Sequence, residues 1–519
     1  MDMRELTPER PRPIHYLDND DPEALSPRAK AWRMVRLLAL VVVLGGFVAL
    51  VGLALLFWTA GRTPREWAPF LQQASTEQPE PMSGLTRAIA SFLMGQDRMV
   101  LASDASAPRV AGASPDRSGP VSGTRIVPVS STQEIVDALE SAHPGDVVLL
   151  RPGTYGISGP PLRLARPGSP EAPIVLRSER LGDAVIESDA VEAVLVLAPF
   201  WRIENLVFKG VCARADDCDH AIHVAGAATD VVIRNNRIED FNAHIKVNGD
   251  DSVFPDRGQI AGNTLIDTAP RAARVPMASI DLVAASDWRI SDNLIADFVR
   301  AGGPAPTYGA YAKGAGENNV FERNVVICEW RLAAPRGAGV GGQHVGLSLG
   351  GGGTDPEVRR DKGQTGFEQI GGSLRDNLIA SCSDDGIYLN KAARTVVDRN
   401  TVLDTAGIDS RFVETSATVT ANIVDGALRS RDGAALQGWD NDAPWLLTLF
   451  FGSHPQRGYY RDPAHLDLAW RRVPQPPSEQ TKRADLCNRP RTTLAPAGAF
   501  ETYAACQGSG TAEMKAPVK

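Results

Sequence analysis

Aromatic residues make up only 6% of this 519-residue chain, and its formal net charge is -8. With no basic excess and no DNA-reading motif, a nucleic-acid partner is not expected. Cysteine is scarce as well. The six cysteines show neither the Cys-x-x-Cys nor the His-x-His spacing of a structural zinc site. The glycine run Gly350–Gly353 lacks the strand-to-helix context and the following Lys-Ser/Thr of a phosphate loop. Between residues 233 and 422 no segment carries a helical period. Its β-branched runs are broken by Asn, Gly and Asp.

What is present is a repeat. Seven times an apolar residue, two variable residues and an Asn recur, ending at Asn236, Asn263, Asn293, Asn324, Asn377, Asn400 and Asn422. The steps are 27, 30, 31, 53, 23 and 22 residues by subtraction, and the step of 53 reads as one coil with an insertion. One such unit cannot bury its own apolar face, whereas stacked units can, as a solenoid of short parallel strands. These Asn residues read as scaffold. Asn tolerates the left-handed backbone that a sharp turn requires, and stacked Asn side chains bond to one another.

Leu37 to Trp58 is a run of 22 residues without a charge, long enough to span a bilayer. Arg28, Lys30, Arg33 and Arg36 precede it, so the N-terminus is expected in the cytoplasm and the rest exported, to the periplasm or the outside. The rival is a cleaved signal peptide. The long polar segment before the run and the bulky Phe57-Trp58 at its end argue against that. Export permits disulfides. Cys212 with Cys218, and Cys487 with Cys506, are spaced to close small loops. Cys328 and Cys382 are either neighbours on adjacent rungs or two buried thiols. The expected organisation is a cytoplasmic segment 1–36, a transmembrane helix 37–58, a stalk 59–122, a β-helix 123–425, an irregular cap 426–470 and a Pro-rich tail 471–519. Ser131-Thr-Gln-Glu134 is a capping-box pattern ahead of an amphipathic stretch, so a helix there would close the first coil.

Six strands align by pattern just before the Asn phrases: residues 221–226, 244–249, 279–284, 309–314, 346–351 and 386–391. Side chains alternate along a strand. With Ile222, Ile245, Ile280, Ala310, Leu347 and Ile387 inward, one outward ladder reads His223, Lys246, Asp281, Tyr311, Ser348, Tyr388. A second reads Ala225, Asn248, Val283, Lys313, Gly350, Asn390, and His244 opens its strand on the same face. Arg359 and Arg360 lie in a loop expected to overhang this face. A flat polar face of this length suits an extended acidic polysaccharide. Only Asp281 is a carboxylate on the ladder, and Asp384-Asp385 is a weaker carboxylate pair, so a hydrolase is less favoured than a lyase or epimerase.

The helix, then Gly145–Tyr155, Pro173–Ser178 and Trp201–Phe208, resembles the opening of right-handed parallel β-helix proteins of the chondroitinase B and alginate lyase type, in the pectate-lyase-like superfamily. The resemblance covers roughly 125–425 and implies that fold. Tyr311–Val326 is similar to the lyase segment in which a Lys is followed by a Glu-Asn turn, and Lys313 stands at that family's catalytic base. The resemblance therefore implies Lys313 as the catalytic base, and Tyr311, beside it on the outward ladder, is expected to be catalytic as acid or base. Lys246 would replace the positive charge of an Arg that the family carries where this chain reads Leu347-Ser-Leu-Gly-Gly-Gly352. Where the family has acidic calcium ligands, this chain has Pro306, Tyr308 and Gly309, so no cofactor is expected; calcium is left as the alternative that the resemblance offers without its ligands being matched. Substrate-binding residues are expected to be Asp281, His244, His223, Tyr388, Asn390, Asn248, Arg359 and Arg360. The rival function is a non-catalytic carbohydrate-binding or envelope scaffold.

Overall fold

The structure is a computed structural model that describes residues 27–75, 79–274, 277–303, 305–332 and 343–507. The expected cytoplasmic segment falls largely outside these residues, as does the end of the Pro-rich tail. The chain divides into two units, one ending at Ala60 and one beginning at Gly61. The first contains helix α1, Pro27–Ala60. Its stretch Ala31–Val48 is exposed and apolar, long enough by length and composition to cross a membrane.

In the second unit, each β-branched run pairs in parallel with the equivalent run of the next copy. Three long sheets result. Sheet I has twelve strands, from Arg125–Val129 to Ala435–Trp439. Sheet II has ten, from Gly153–Ile157 to Ile423–Val424. Sheet III has ten, from Leu162–Leu164 to Ala427–Arg431. A typical coil passes Trp201–Glu204 in I, Val207–Gly210 in II and His220–Ala225 in III before returning to I. This is a right-handed parallel β-helix, the hand that twisted parallel strands impose on their crossovers. The inward residues of the six aligned strands, from Ile222 to Leu389, are all fully buried. Helix α4, Thr132–Glu140, lies over the first coil with Ile135 and Leu139 buried. Ser131 Oγ accepts from the Glu134 N–H at 3.2 Å. Glu134 reaches back to the N–H of Ser130, one residue earlier than in the usual box.

The Asn phrases form one continuous ladder between sheets I and II. Nδ2 of Asn236, Asn263, Asn293, Asn324, Asn377 and Asn400 each donates to Oδ1 of the next, at 2.9–3.1 Å. Asn422 continues it to Asn441, an eighth member. Each Oδ1 also accepts from the preceding Asn backbone N–H, so every side chain is satisfied in the interior. The left-handed residue is not the ladder Asn, as the sequence suggested, but the one before it: Asn235, Asp292, Arg323, Asp376, Arg399 and Ala421 have φ of 51–59°. The turn leaves the ladder Asn free to point inward. Asn324→Ala removes one donor and one acceptor from buried partners. It should cost about 1–3 kcal/mol, read as a lower denaturant midpoint with an unchanged slope.

Residues 61–118 form no stalk. Helices α2 (Pro64–Ser75) and α3 (Met82–Asp97) make a hairpin seated on the coils. Arg65 is fully buried: its guanidinium donates to Cys382 O at 2.8 Å and pairs with Asp97 at 2.6 Å and Asp404 at 2.9 Å. The chain then runs along sheet II, whose outward residues are apolar. Ala105 and Ala111 from this side, and Tyr460, Leu486, Phe500 and Tyr503 from the other end of the chain, cover Ile266, Val325, Leu378 and Leu403. The expected extended tail is likewise packed, with Arg483 and Arg491 on Asp376. The expected cap 426–470 is part coil, through the strands ending at Trp439, and part sheet II cover. All six cysteines are bonded, Cys212–Cys218, Cys328–Cys382 and Cys487–Cys506. The second pair joins adjacent rungs across the long coil.

Candidate functional site

The three outer faces differ in kind. On sheet I outward Arg and Glu neutralise one another, as Arg177 and Arg234 do around Glu204. Sheet II is covered. Sheet III carries a polar outer face that is half-buried at His223, Lys246, Asp281, Lys313 and Tyr388 and buried at Tyr311 and Ser348. Its register matches the sequence alignment: His223, Lys246, Asp281, Tyr311, Ser348 and Tyr388 stand opposite one another on six successive strands. Successive rungs are about 4.8 Å apart.

Four side chains meet at its centre. Lys246 Nζ donates to Asp281 Oδ2 at 2.6 Å. Tyr311 lies one rung beyond Asp281, and Lys313 Nζ sits 4.7 Å above the centre of the Tyr311 ring. The Tyr308 ring meets that of Tyr311 edge-on at 5.3 Å. Gly351 makes room for Lys313: a Cβ there would stand 3.3 Å from Lys313 Cδ. The glycine run therefore borders Lys313. Burial pushes the Asp281 carboxyl up, but Lys246 and the neighbouring donors outweigh it and hold the group ionised, below its ordinary value. Burial, with the negative Asp281 beside it, pushes the Tyr311 phenol well above its ordinary value, so it keeps its proton. Burial lowers Lys313 below the ordinary lysine value. Lys246 lowers it further, against the opposite pull of Asp281 and Glu368. Together these are a lysine eased toward its neutral form, a phenol that holds a proton, and a second cation.

Other candidates fall in different places. His223 lies on the same face, its Nδ1 2.7 Å from Glu192 Oε1 and its Nε2 2.6 Å from Asn248 Oδ1. Asn390 donates to the Tyr388 hydroxyl at 3.0 Å, two rungs beyond Tyr311. His244 is not on the open face: it is 1% exposed, turned into the corner beside Asp267 at 3.4 Å. Arg359 is also unavailable, being buried and clamped by Asp361 and Glu368. Arg360 binds Asp256 and Ala284 O and stacks on Phe254, so the loop is tied down to the neighbouring turn. The Asp384 and Asp385 carboxyls are buried, and burial pushes the first up to about 7 and the second well above the carboxylate range. Arg429 holds Asp385 at 2.5 Å and Glu66 at 2.6 Å. This is no solvent-facing, separated carboxylate pair of the kind hydrolysis needs.

Sequence reasoning missed Glu192 and His220, which stand opposite each other at the start of their strands. The phrase alignment began one residue after His220. The coil before it had no matching phrase, so Glu192 had no partner to be aligned with. Shallow depressions around Ser118–Arg180 and around His465–Tyr503 lie elsewhere. The site is an open face rather than a pocket.

No family model and no curated protein matches the chain. Among solved structures it is similar to pectate lyase Pel9A, at 13% identity over 74% of this chain and 98% of that one, with a TM-score of 0.44. It is similar to a rhamnogalacturonan lyase at 12% identity, over 62% and 87%, with a TM-score of 0.42. An alginate lyase from Paenibacillus sp. str. FPU-7 matches at 16% identity, over 62% and 95%, with a TM-score of 0.36. These likenesses concern the fold, which is the right-handed parallel β-helix described above.

Proposed function

We propose that this chain is a membrane-anchored, exported β-helix protein that acts on an acidic polysaccharide by β-elimination or by the closely related C5 epimerisation. The observation that carries this reading is the cluster of Lys246, Asp281, Tyr311 and Lys313 on the polar outer face of sheet III. Neutral Lys313 takes the proton beside the uronate carboxylate, and Lys246 offsets the negative charge that develops there. In elimination the bond to the 4-linked sugar breaks as the double bond forms, and the Tyr311 phenol supplies the proton to the departing oxygen. In epimerisation the same proton donor returns a proton to the opposite face. The apolar α1 and the three closed disulfides support export. No calcium is assigned, since Pro306, Tyr308 and Gly309 offer no carboxylate. The locked Arg359 and the missing Arg at 350 favour a second reading, a binding scaffold without catalysis.

One experiment separates these. The full-length chain in detergent is incubated with mannuronate, guluronate, galacturonate and chondroitin polymers, and unsaturated product is followed by absorbance. Absorbance gives the lyase, and inverted C5 by NMR without absorbance gives the epimerase. Binding that depends on Lys246 and Lys313, with neither change, gives the scaffold. No binding at all ends the reading. Intact cells should process polymer added outside, which checks export. The charges around Lys313 fix a further outcome. Removing Lys246 takes away a cation that lowers the Lys313 pKa, while Asp281 and Glu368 still raise it. The base is then neutral only at higher pH, so the rising limb of the Lys246→Ala pH–rate profile should move to higher pH.

A further inference from the structure

At the N-terminal end of the same face, one carboxylate and two imidazoles converge. Ligand atoms of Glu192, His220 and His223 all lie within 4.8 Å of one another, and no other such group of three occurs among the described residues. In a regular strand His220 and His223 would face opposite sides. Here Ala221 and Ile222 are both fully buried, so the strand turns both histidines to the surface, with ring centres 5.2 Å apart. Glu192 is the register partner of His220 on the preceding rung.

Each ring has an oxygen on one nitrogen and its other nitrogen turned elsewhere. His223 Nε2 meets Asn248 Oδ1 at 2.6 Å, which leaves Nδ1 facing Glu192. His220 Nε2 lies 3.4 Å from Asp219 Oδ2, while its Nδ1 is buried and makes no hydrogen bond. His223 is thus held by an outer oxygen on one nitrogen while the other meets the carboxylate, the way metal-binding imidazoles are held, and the buried His220 Nδ1 is left without a partner. Tetrahedral zinc bonds of about 2.0–2.2 Å would place donor atoms about 3.3 Å apart, which fits within the observed cluster. Two nitrogens and one carboxylate suit a borderline divalent metal. Calcium, which takes about six to eight oxygens, does not fit.

We propose that Glu192, His220 and His223 bind a divalent transition metal of the zinc class, and that its open fourth position takes a carboxylate of the polymer. The second half rests on the proposed function; the metal binding does not. His223 is the register partner of Lys246, so the metal lies on the rung next to the Lys246–Asp281 pair. It supplies positive charge on the side of the groove away from Lys313.

The test uses the full-length chain in detergent, stripped with a chelator. It is titrated with Zn²⁺ by calorimetry and with Co²⁺ by visible absorption. One equivalent should bind, Co²⁺ should develop ligand-field bands, and millimolar Ca²⁺ should not compete. His220→Ala and His223→Ala should each remove the bands and weaken zinc at least about 100-fold, and Asn248→Ala about tenfold. His465→Ala, an exposed histidine elsewhere, should change neither. Circular dichroism monitors folding, and Glu192→Gln serves as the near-isosteric variant if an alanine variant unfolds. Sub-stoichiometric binding, or zinc affinity and cobalt bands that survive in the His220→Ala/His223→Ala chain, overturns the site. Zinc binding without any action on, or binding of, uronate polymers overturns the proposed function and leaves the metal site standing. Elimination by a chain that binds no zinc does the reverse.

Discussion

Lys313→Ala should lose elimination or epimerisation by about 10²–10⁴-fold, the usual contribution of a general base. Its melting temperature should stay close to that of the parent. The two results belong together. Lys313 is only half-buried, makes no ion pair in the structure, and rests its ammonium on the Tyr311 ring, a contact worth about 0.5–2 kcal/mol. Loss of activity with a large loss of stability would point to a packing role instead. Full activity would remove Lys313 as the base and with it the proposed chemistry. Lys313→Arg sharpens the result: it keeps a cation above the ring but cannot become neutral near pH 7, so it should be as inactive as alanine.

A chain that begins at residue 123, where the sequence places the start of the folded domain, should be insoluble or unfold at far lower denaturant than one that begins at Gly61. Removing 61–122 uncovers the apolar outer side of sheet II and takes Arg65 away from Asp404, deep in the interior. Arg65→Ala alone should cost about 3–5 kcal/mol, the usual result of leaving a buried carboxylate with one partner fewer. Chemical denaturation of the two lengths and of Arg65→Ala reads this directly. Equal stability of both lengths would mean that the hairpin and the strand after it are only lightly attached.

The solenoid and its groove register were legible because they follow from local repetition. An apolar residue every second position and an Asn every coil are visible without knowing where the chain goes. Lys246 and Asp281 are 35 residues apart and yet align by phrase. What was not legible depends on partners outside the repeat. Nothing in the repeat marks Arg65, a few residues beyond the apolar run, and only Asp97 and Asp404 make it an interior clamp. Arg359 reads as a free cation until Glu368, nine residues on, closes over it. His244 alternates outward by count, but a local irregularity at the sheet corner turns it in. The left-handed turn residue was misplaced by one because the phrase marks the side chain that bonds, not the backbone that bends.

The Asn ladder keeps the same spacing whatever the length of chain between its members. Asn324 bonds to Asn377 at 3.0 Å across 53 residues, and Asn422 to Asn441 at 2.8 Å across 19. The spine therefore registers position in space and is indifferent to contour length. Extra residues leave it as loops where sheet III strands end, such as 249–257 and 351–368, which meet through Arg360 and Asp256 and wall one margin of that face. Wall and spine are thus separable parts. Loops exchanged between coils, or borrowed from another β-helix, should reshape what the groove admits while the backbone that holds Lys246, Tyr311 and Lys313 stays as it is.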